Sequence, residues 1–257
     1  QWVVRIGIVS RDGDALVWTH KWVTHCASHL PQAIAPLRQL NGETVMRWAG
    51  RPVTVYPYIT GNILNNEGDD QIIQAAGLLA KIHTLGLQWP GRDQYPQPGI
   101  SQAMSVTDPT SIQDPALDQW EADFEKCTDL ATGAVHGDYY RGNILVHKGQ
   151  IAGIIDWDES DVRPIITELA WATWEFTHTA SGDDVEMHRA REFVRAYQAE
   201  ADILNNDQRQ IVIPLIRRHL RVEIRRSIAA EARGEAVDLA YRNAEICGFN
   251  NLRGRIV

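Results

Sequence analysis

The sequence predicts an α+β protein in which a small, strand-containing N-terminal part precedes a larger, mostly helical C-terminal part. Three observations predict it. Stretches rich in β-branched and aromatic residues, Trp2 to Val9 and Val53 to Ile59, lie before Gly61. A strand, polar loop and strand run from Val135 to Trp157, and everything after Pro164 reads as helices. At 257 residues the chain is long enough for one two-lobed domain or two small ones.

Taken in order, Trp2 to Val9 reads as a strand, and Arg11-Asp12-Gly13-Asp14 as a turn. A helix is expected from Ala15 to His29, ended by Pro31 just after Leu30. Two strands follow, Thr44 to Trp48 and Val53 to Ile59, with Gly50-Arg51-Pro52 as the turn between them. Tyr56-Pro57-Tyr58-Ile59-Thr60-Gly61 then reads as a connector between lobes. The clearest helix has Ile72, Ala76, Leu79 and His83 at helical spacing, Asp69 or Asp70 as its cap and Gly86 at its end. A Pro- and Gly-rich loop spans Trp89 to Gly99, and Asp114-Pro115 opens another helix in the favoured cap-then-proline order. In the central block, Lys148-Gly149 marks a turn between two strands. The sequence holds no internal repeat and no low-complexity tract.

Composition excludes several classes. Hydrophobic residues make up 44% and charged residues 23%, as in an ordinary globular protein. No apolar run approaches the roughly 20 residues of a membrane span, so no membrane partner is expected. The start lacks the pattern of a signal peptide, and Gln1 in place of an initiator Met predicts residues upstream. Cys26, Cys127 and Cys247 are widely spaced, without a CxxC pair, which fits a reducing cytoplasm better than a disulfide framework or a zinc site. A formal net charge of −8 argues against a nucleic-acid partner and is compatible with cationic ligands. Arg217, Arg221 and Arg225 share a helix face, expected to be solvated and paired with acids such as Glu223. Oligomeric state leaves no signal.

The chemistry is concentrated in His136-Gly137-Asp138-Tyr139-Tyr140-Arg141-Gly142-Asn143, followed by Ile154-Ile155-Asp156-Trp157-Asp158. Phosphoryl transfer needs one carboxylate to accept the proton of the attacking hydroxyl and another to hold the metal that neutralises the moving phosphates. Here an Asn follows the first Asp at the spacing of the protein-kinase H-R-D-x-x-x-x-N loop. A hairpin, Ile144 to Val146 against Ile151 to Ile155, would return Asp156 to face Asn143 across one cleft. Each residue alone reads as an ordinary turn former or a structural histidine; their order, with strands between them, favours the chemical reading.

HGDxxxxN followed by IDW resembles the signature of the aminoglycoside phosphotransferase, choline kinase and homoserine kinase-like family. The resemblance implies a protein-kinase-like two-lobed fold. Residues 1–60 would form an N-lobe with its hinge, and residues 61–257 the C-lobe with the catalytic loop, metal site and substrate helices. It implies an ATP-dependent phosphotransferase acting on a hydroxyl of a small molecule, with Mg2+ as the metal. Asp138 would be the base, His136 the residue orienting its loop, Asn143 a metal ligand and Asp156 the principal one. Tyr56, Tyr58 and Ile59 are similar to the hinge that holds adenine, and Arg5 sits where the family carries its phosphate-binding Lys or Arg. Leu78-Leu79-Ala80-Lys81-Ile82-His83 resembles the family's helix ending in L-x-x-L-H. Pro164-Ile165-Ile166-Thr167-Glu168-Leu169-Ala170 stands for its D-P-x-x-D-L-A, with Arg163 and Glu168 replacing the two Asp.

Two departures stand out. The family pairs its basic residue with a Glu on the next helix, whereas Thr19 holds that position; either the helix register differs, or an acid such as Glu43 substitutes, or Arg5 is placed differently. The phosphate-covering hairpin would also precede Gln1. The resemblance places the substrate wall after Asp156, where Asp158, Glu168, Trp171 and Glu175 are the candidates. The last three project from one helix face, and carboxylates beside an indole suit a cation, so a hydroxylated amine is expected: an aminoglycoside-like or amino-alcohol acceptor. The competing readings are a nucleotide-binding pseudokinase or regulatory module without transfer activity, and an atypical protein kinase. The second is disfavoured because no A-P-E segment or activation loop follows Asp156.

Overall fold

The structure, a computed structural model, describes residues 1–8, 13–65, 68–96, 108–204 and 206–257. Val9, Arg11, Asp12 and most of the Trp89 to Gly99 loop's second half, where strand end, turn and loop were expected, lie outside the described residues. The chain divides into two compact units, Gln1–Gln97 with Thr132–Ile165, and Pro98–Ala131 with Ile166–Val257.

The first unit opens with β1 (Trp2–Ile6) and α1 (Gly13–Ala27), followed by β2 (Met46–Trp48) and β3 (Arg51–Pro57). The strands form an antiparallel sheet in the order β1-β3-β2, with Arg5 opposite Thr54 and Trp2 opposite Pro57. The turn expected at Gly50-Arg51-Pro52 falls one residue earlier. Ala49 (φ 49°) and Gly50 (φ 77°) are both left-handed, as a two-residue hairpin turn requires, and Arg51 and Pro52 already belong to β3. The α1 helix also starts and stops two residues before the expected limits, with Ser28 and His29 closing it through bonds to His25 and Cys26 carbonyls.

After β4 (Asn62–Ile63), α2 (Asp69–Gln88) corrects two expectations. Its cap position is Gly68, and Asp69 and Asp70 sit in the first turn, where their charge opposes the helix dipole's positive end without capping it. Gly86 does not end the helix. A Cβ there would lie 1.9 Å from the Ala134 carbonyl oxygen, so the glycine is needed for close approach to β5 (Thr132–Ala134). β6 (Ile144–His147) and β7 (Gln150–Ile154) form the expected hairpin, closed by left-handed Lys148 and Gly149, and β4 extends it to three strands. β8 (Val162–Pro164) pairs with β5.

Aromatic rings fill the unit's interior. Trp22 is fully buried, packs on Trp89 and donates its indole N–H to the Val135 carbonyl (3.1 Å). Trp157 packs on Trp22 and on His136 and donates to the Ile154 carbonyl (3.0 Å). Each such ring removes roughly 150–250 Å² from water, about 4–6 kcal/mol at 25 cal/mol per Å².

The second unit is helical: α3 (Pro115–Phe124), α4 (Ile165–Thr177), α5 (Met187–Glu200), α6 (Asn206–Gln210), α7 (Val212–Ala232) and α8 (Leu239–Asn251). Asp114 caps α3 as expected, accepting from the Ala116 and Leu117 amides. The arginine face expected to be solvated is instead largely buried against α3 and the chain before it. Arg217 pairs with Asp114 (2.6 Å), Arg221 with Asp118 and Glu121 (2.5 and 2.7 Å) and Arg225 with Asp108 (2.6 Å). Burial alone would raise the Asp114 pKa; Arg217 outweighs it and holds the carboxyl below its ordinary value. Among the described residues, no helix is long and apolar enough to cross a membrane.

Candidate functional site

The residues singled out by the sequence converge within the first unit, on the loop between β5 and β6 and on the turn after β7. His136 is wholly buried. Its Nδ1 accepts the Asp138 amide (3.2 Å), which leaves Nε2 to donate to the Ile155 carbonyl (3.1 Å). That pairing fixes the neutral tautomer, and one imidazole thereby ties the Asp138 loop to the strand leading into Asp156. Gly137 has φ +91°, and a Cβ there would lie 1.8 Å from the Glu159 carbonyl oxygen. Conformation and space both demand glycine. Ser160 adds a bond from Oγ to the His136 carbonyl (3.0 Å), and the Tyr139 hydroxyl donates to the Ala75 carbonyl of α2 (2.8 Å).

Asn143 is buried and spends its amide on Asp138, donating Nδ2 to the backbone oxygen and to Oδ2, both at 2.9 Å. Its carbonyl Oδ1 is the group left for a cation. The Ile155 amide donates to the Asn143 carbonyl (3.0 Å), so the hairpin brings Asn143 beside the residue preceding Asp156. Asp156 is left-handed (φ 60°), the one described non-glycine residue with positive φ outside the two hairpin turns. Asp tolerates that region better than most residues, yet such a conformation costs on the order of 1–3 kcal/mol and persists where the surroundings impose it.

Arg5 forks between two acids: Nη1 to Asp156 Oδ1 at 2.9 Å and Nη2 to Asp158 Oδ2 at 2.5 Å. Burial works against its charge, and the carboxylates of Asp158 and Asp156 more than offset it, raising its pKa. Thr19 is buried in α1, and Arg5 finds its acids at positions 156 and 158 rather than at Glu43. Asp158 differs from the expectation that it faces substrate. Its side chain is only 6% exposed and holds the arginine, whereas that of Asp156 is 44% exposed and opens to a cleft.

The cleft is a cavity of about 450 Å³, within the range of small-molecule sites. Its apolar walls include Val4, Ile34, Leu145 and Ile155, and Arg5, Asp156, Tyr56, Tyr58 and Ile59 also line it, with Tyr56 beside Arg5. The Tyr58 amide donates to the Gln1 carbonyl (3.2 Å). The backbone groups of Ile59 have no partner among the described residues and stand open to a ligand. The Asp156 carboxylate lines this cavity, and the Asn143 Oδ1 is a second hard oxygen donor on the neighbouring loop; oxygen donors of this kind suit a small divalent ion.

The remaining candidates belong to the second unit. Glu168 is 3% exposed and lies near Tyr197, so it braces the interior. Trp171 stacks on His219, centroids 3.7 Å apart, and Glu175 lies near Glu223 and Glu245 by charge. Sequence reasoning missed Ser160 and Tyr139, whose hydrogen bonds hold the loop; neither has a signal of its own. It also missed Trp157's packing on His136, although the IDW pattern contains that tryptophan.

A family model described as "Phosphotransferase enzyme family" matches residues 1–203. Among curated proteins, the chain is 25% identical to homoserine kinase of Nitrobacter winogradskyi over 213 residues, 76% of this chain and 61% of that one. It is 27% identical to stress response kinase A of Salmonella choleraesuis over 172 residues, 61% of this chain and 51% of the relative. The chain thus spans less than two thirds of the length of these relatives. Among solved structures, amicoumacin kinase hAmiN, in complex with AMP-PNP, Ca2+ and Ami, superposes with a TM-score of 0.74 at 13% identity, covering 98% of this chain and 81% of that one. The likeness bears out the expected α+β, kinase-like fold.

Proposed function

Because the chain belongs to the phosphotransferase enzyme family, we propose that it moves the γ-phosphoryl group of ATP to a hydroxyl of a small molecule. The observation that carries the reading is the pairing of Asp138 with Asn143 on a loop tied by His136 to the strand that presents Asp156. Residues 1–60 act as the nucleotide lobe with its hinge, and residues 61–257 carry the rest. Tyr56, Tyr58 and Ile59 border the base, and Asn143 and Asp156 hold Mg2+. Asp138 takes the proton of the attacking hydroxyl, oriented by the Asn143 amide and by the His136 contact to its own backbone. Asn143 and Asp156 would hold the cation, whose chemistry there would be to neutralise charge on the phosphates. Arg5, anchored by the buried Asp158, can swing its other arm from Asp156 to a phosphate oxygen, since an arginine fork suits either. Three widely spaced cysteines without a CxxC pair support a reducing compartment, the cytoplasm in this reading.

A second reading, a nucleotide-binding protein without transfer activity, is favoured by one observation: Arg5 rests on the carboxylate the metal needs. ADP release with Mg·ATP and a broad panel of alcohols separates the two. Acceptor-dependent release supports transfer, and nucleotide binding without release under every condition supports the alternative.

Asn143→Ala is expected to lower Mg·ATP affinity less than Asp156→Ala, because a neutral amide contributes less to the metal. It should still lower kcat by about 10–100-fold, the worth of one hydrogen bond to a charged group. Titrating Mg·ATP into both variants checks the order; the reverse order would exchange the two assignments.

The acceptor is expected to carry an amine. Homoserine, the substrate named for one relative, combines an ammonium and a hydroxyl, and Glu175 stands among carboxylates. Matched cationic and neutral alcohols should differ in kcat/KM in favour of the cation, and Glu175→Gln should narrow the gap. A preference for neutral or anionic alcohols would overturn the assignment.

A further inference from the structure

Three helices of the second unit gather carboxylates at one place. Glu175 comes from α4, Glu223 from α7 and Glu245 from α8. The Trp171–His219 stack joins α4 to α7, and Trp174 packs so closely on Gly248 of α8 that a Cβ there would lie 2.5 Å from the ring. Glu245 is 2% exposed, and its Oε1 has no hydrogen-bond partner among the described residues. An acid so placed is costly, and native proteins keep few such atoms without a use for them. Burial first, then the charges of Glu223 and Glu175, push its pKa up to about 8.

The cations nearby are already engaged. Arg226 donates to Glu223 Oε1 (2.5 Å), His219 Nε2 lies 3.5 Å from the same oxygen, and Arg233 forks onto Glu235 (2.6 and 3.2 Å). A cavity of about 430 Å³ opens beside Glu245, with Glu223, Ser227 and Tyr241 on its walls together with Arg226 and Arg233, the two arginines whose charges Glu223 and Glu235 hold. Tyr241 precedes Glu245 by four residues on α8, which puts its ring on the same face; burial and the same carboxylates raise its phenol pKa, so it stays neutral.

The occupant follows from this chemistry. Among the described residues, no trio of acids, histidines or cysteines is arranged to hold a metal ion. An alkylammonium needs only carboxylate oxygens at hydrogen-bond distance and gains from an aromatic face. We infer that Glu245, Glu223 and Tyr241, backed by Glu175, bind an organic ammonium group. As the cation enters, the Glu245 carboxyl releases its proton to solvent and its unpaired oxygen gains a donor. Two sources share this chemistry, the amine of the phosphate acceptor and a free small polyamine. The first rests on the transfer reading above; the second does not.

Calorimetric titration of the full chain with 1,3-diaminopropane and with 3-amino-1-propanol, without nucleotide and in buffers of different ionisation enthalpy, reads affinity and protons together. Saturable binding of at least one amine is expected, with proton release near pH 7 and tighter binding above pH 8, where Glu245 is already ionised. Glu245→Gln should weaken it about tenfold or more, the loss of a charge-assisted hydrogen bond, and abolish the proton release. Glu223→Gln should weaken binding while keeping the proton release, and melting curves of both variants verify folding. Binding of the diamine alone assigns the site to a free polyamine; binding of the amino alcohol, with its KM raised in Glu245→Gln, assigns it to the acceptor. Failure of both amines to bind, or binding that neither variant changes by more than about twofold, overturns the site and leaves the reading of Asp138 untouched.

Discussion

Asp138→Asn is expected to keep nucleotide affinity near that of the parent while kcat falls by about 10²–10⁴, the usual contribution of a general base. The asymmetry follows from geometry. Asp138 lies on the loop held by His136 and Asn143, whereas the cleft walls are built by β1, the residues after β3 and the β6–β7 hairpin. An Asn preserves shape and hydrogen bonding to Asn143 and removes only the capacity to accept the hydroxyl proton. Steady-state turnover on the true acceptor, beside an equilibrium titration with nucleotide, makes the check. Near-parental turnover would mean that another group is the base.

Asp156→Ala is expected to do more. It removes the exposed carboxylate proposed above to share the metal with Asn143, and it also frees one arm of Arg5. A metal at the transferring phosphate is worth several kcal/mol of transition-state stabilisation, so transfer should fall by about 10³ or more. Nucleotide affinity should lose its dependence on Mg2+ rather than vanish, since the walls formed by Tyr56, Tyr58 and Ile59 are unchanged. Turnover at saturating Mg2+ and nucleotide titrations with and without the ion test both halves. Intact Mg-dependent binding in Asp156→Ala would move the metal elsewhere.

Local features of the sequence carried far into the structure. Lys148-Gly149 announced the hairpin because a two-residue turn needs positive φ at both positions. Asp114-Pro115 announced α3 because capping is decided within a few residues. The loop from His136 to Asn143 was legible as a candidate site because its spacing is itself the geometry. Partners distant in sequence were not legible. Arg5 and Asp156 are 151 residues apart, and nothing near Arg5 says that its acid lies there rather than on α1. The arginines of α7 read as a solvated face because their periodicity is that of any helix; only the position of α3 makes them buried ion pairs. Gly86 looked like a helix end because a glycine needed for close approach and one needed for a left-handed cap share a single letter. Glu245 gave no signal at all, since burial of one acid among three depends on how α4, α7 and α8 pack.

The central claim is that the Asp138, Asn143 and Asp156 constellation transfers a phosphoryl group to a hydroxyl, and following the γ-phosphate of Mg·ATP by 31P NMR tests it most directly. The chain would be incubated with homoserine, amino alcohols, aminoglycosides and neutral alcohols in turn. The account predicts a phosphate ester of at least one acceptor, formed one-for-one with ADP, dependent on Mg2+ and lost in Asp156→Ala. Phosphate that appears only as the inorganic ion, at a rate indifferent to every hydroxyl compound and to Asp138→Asn, would contradict it.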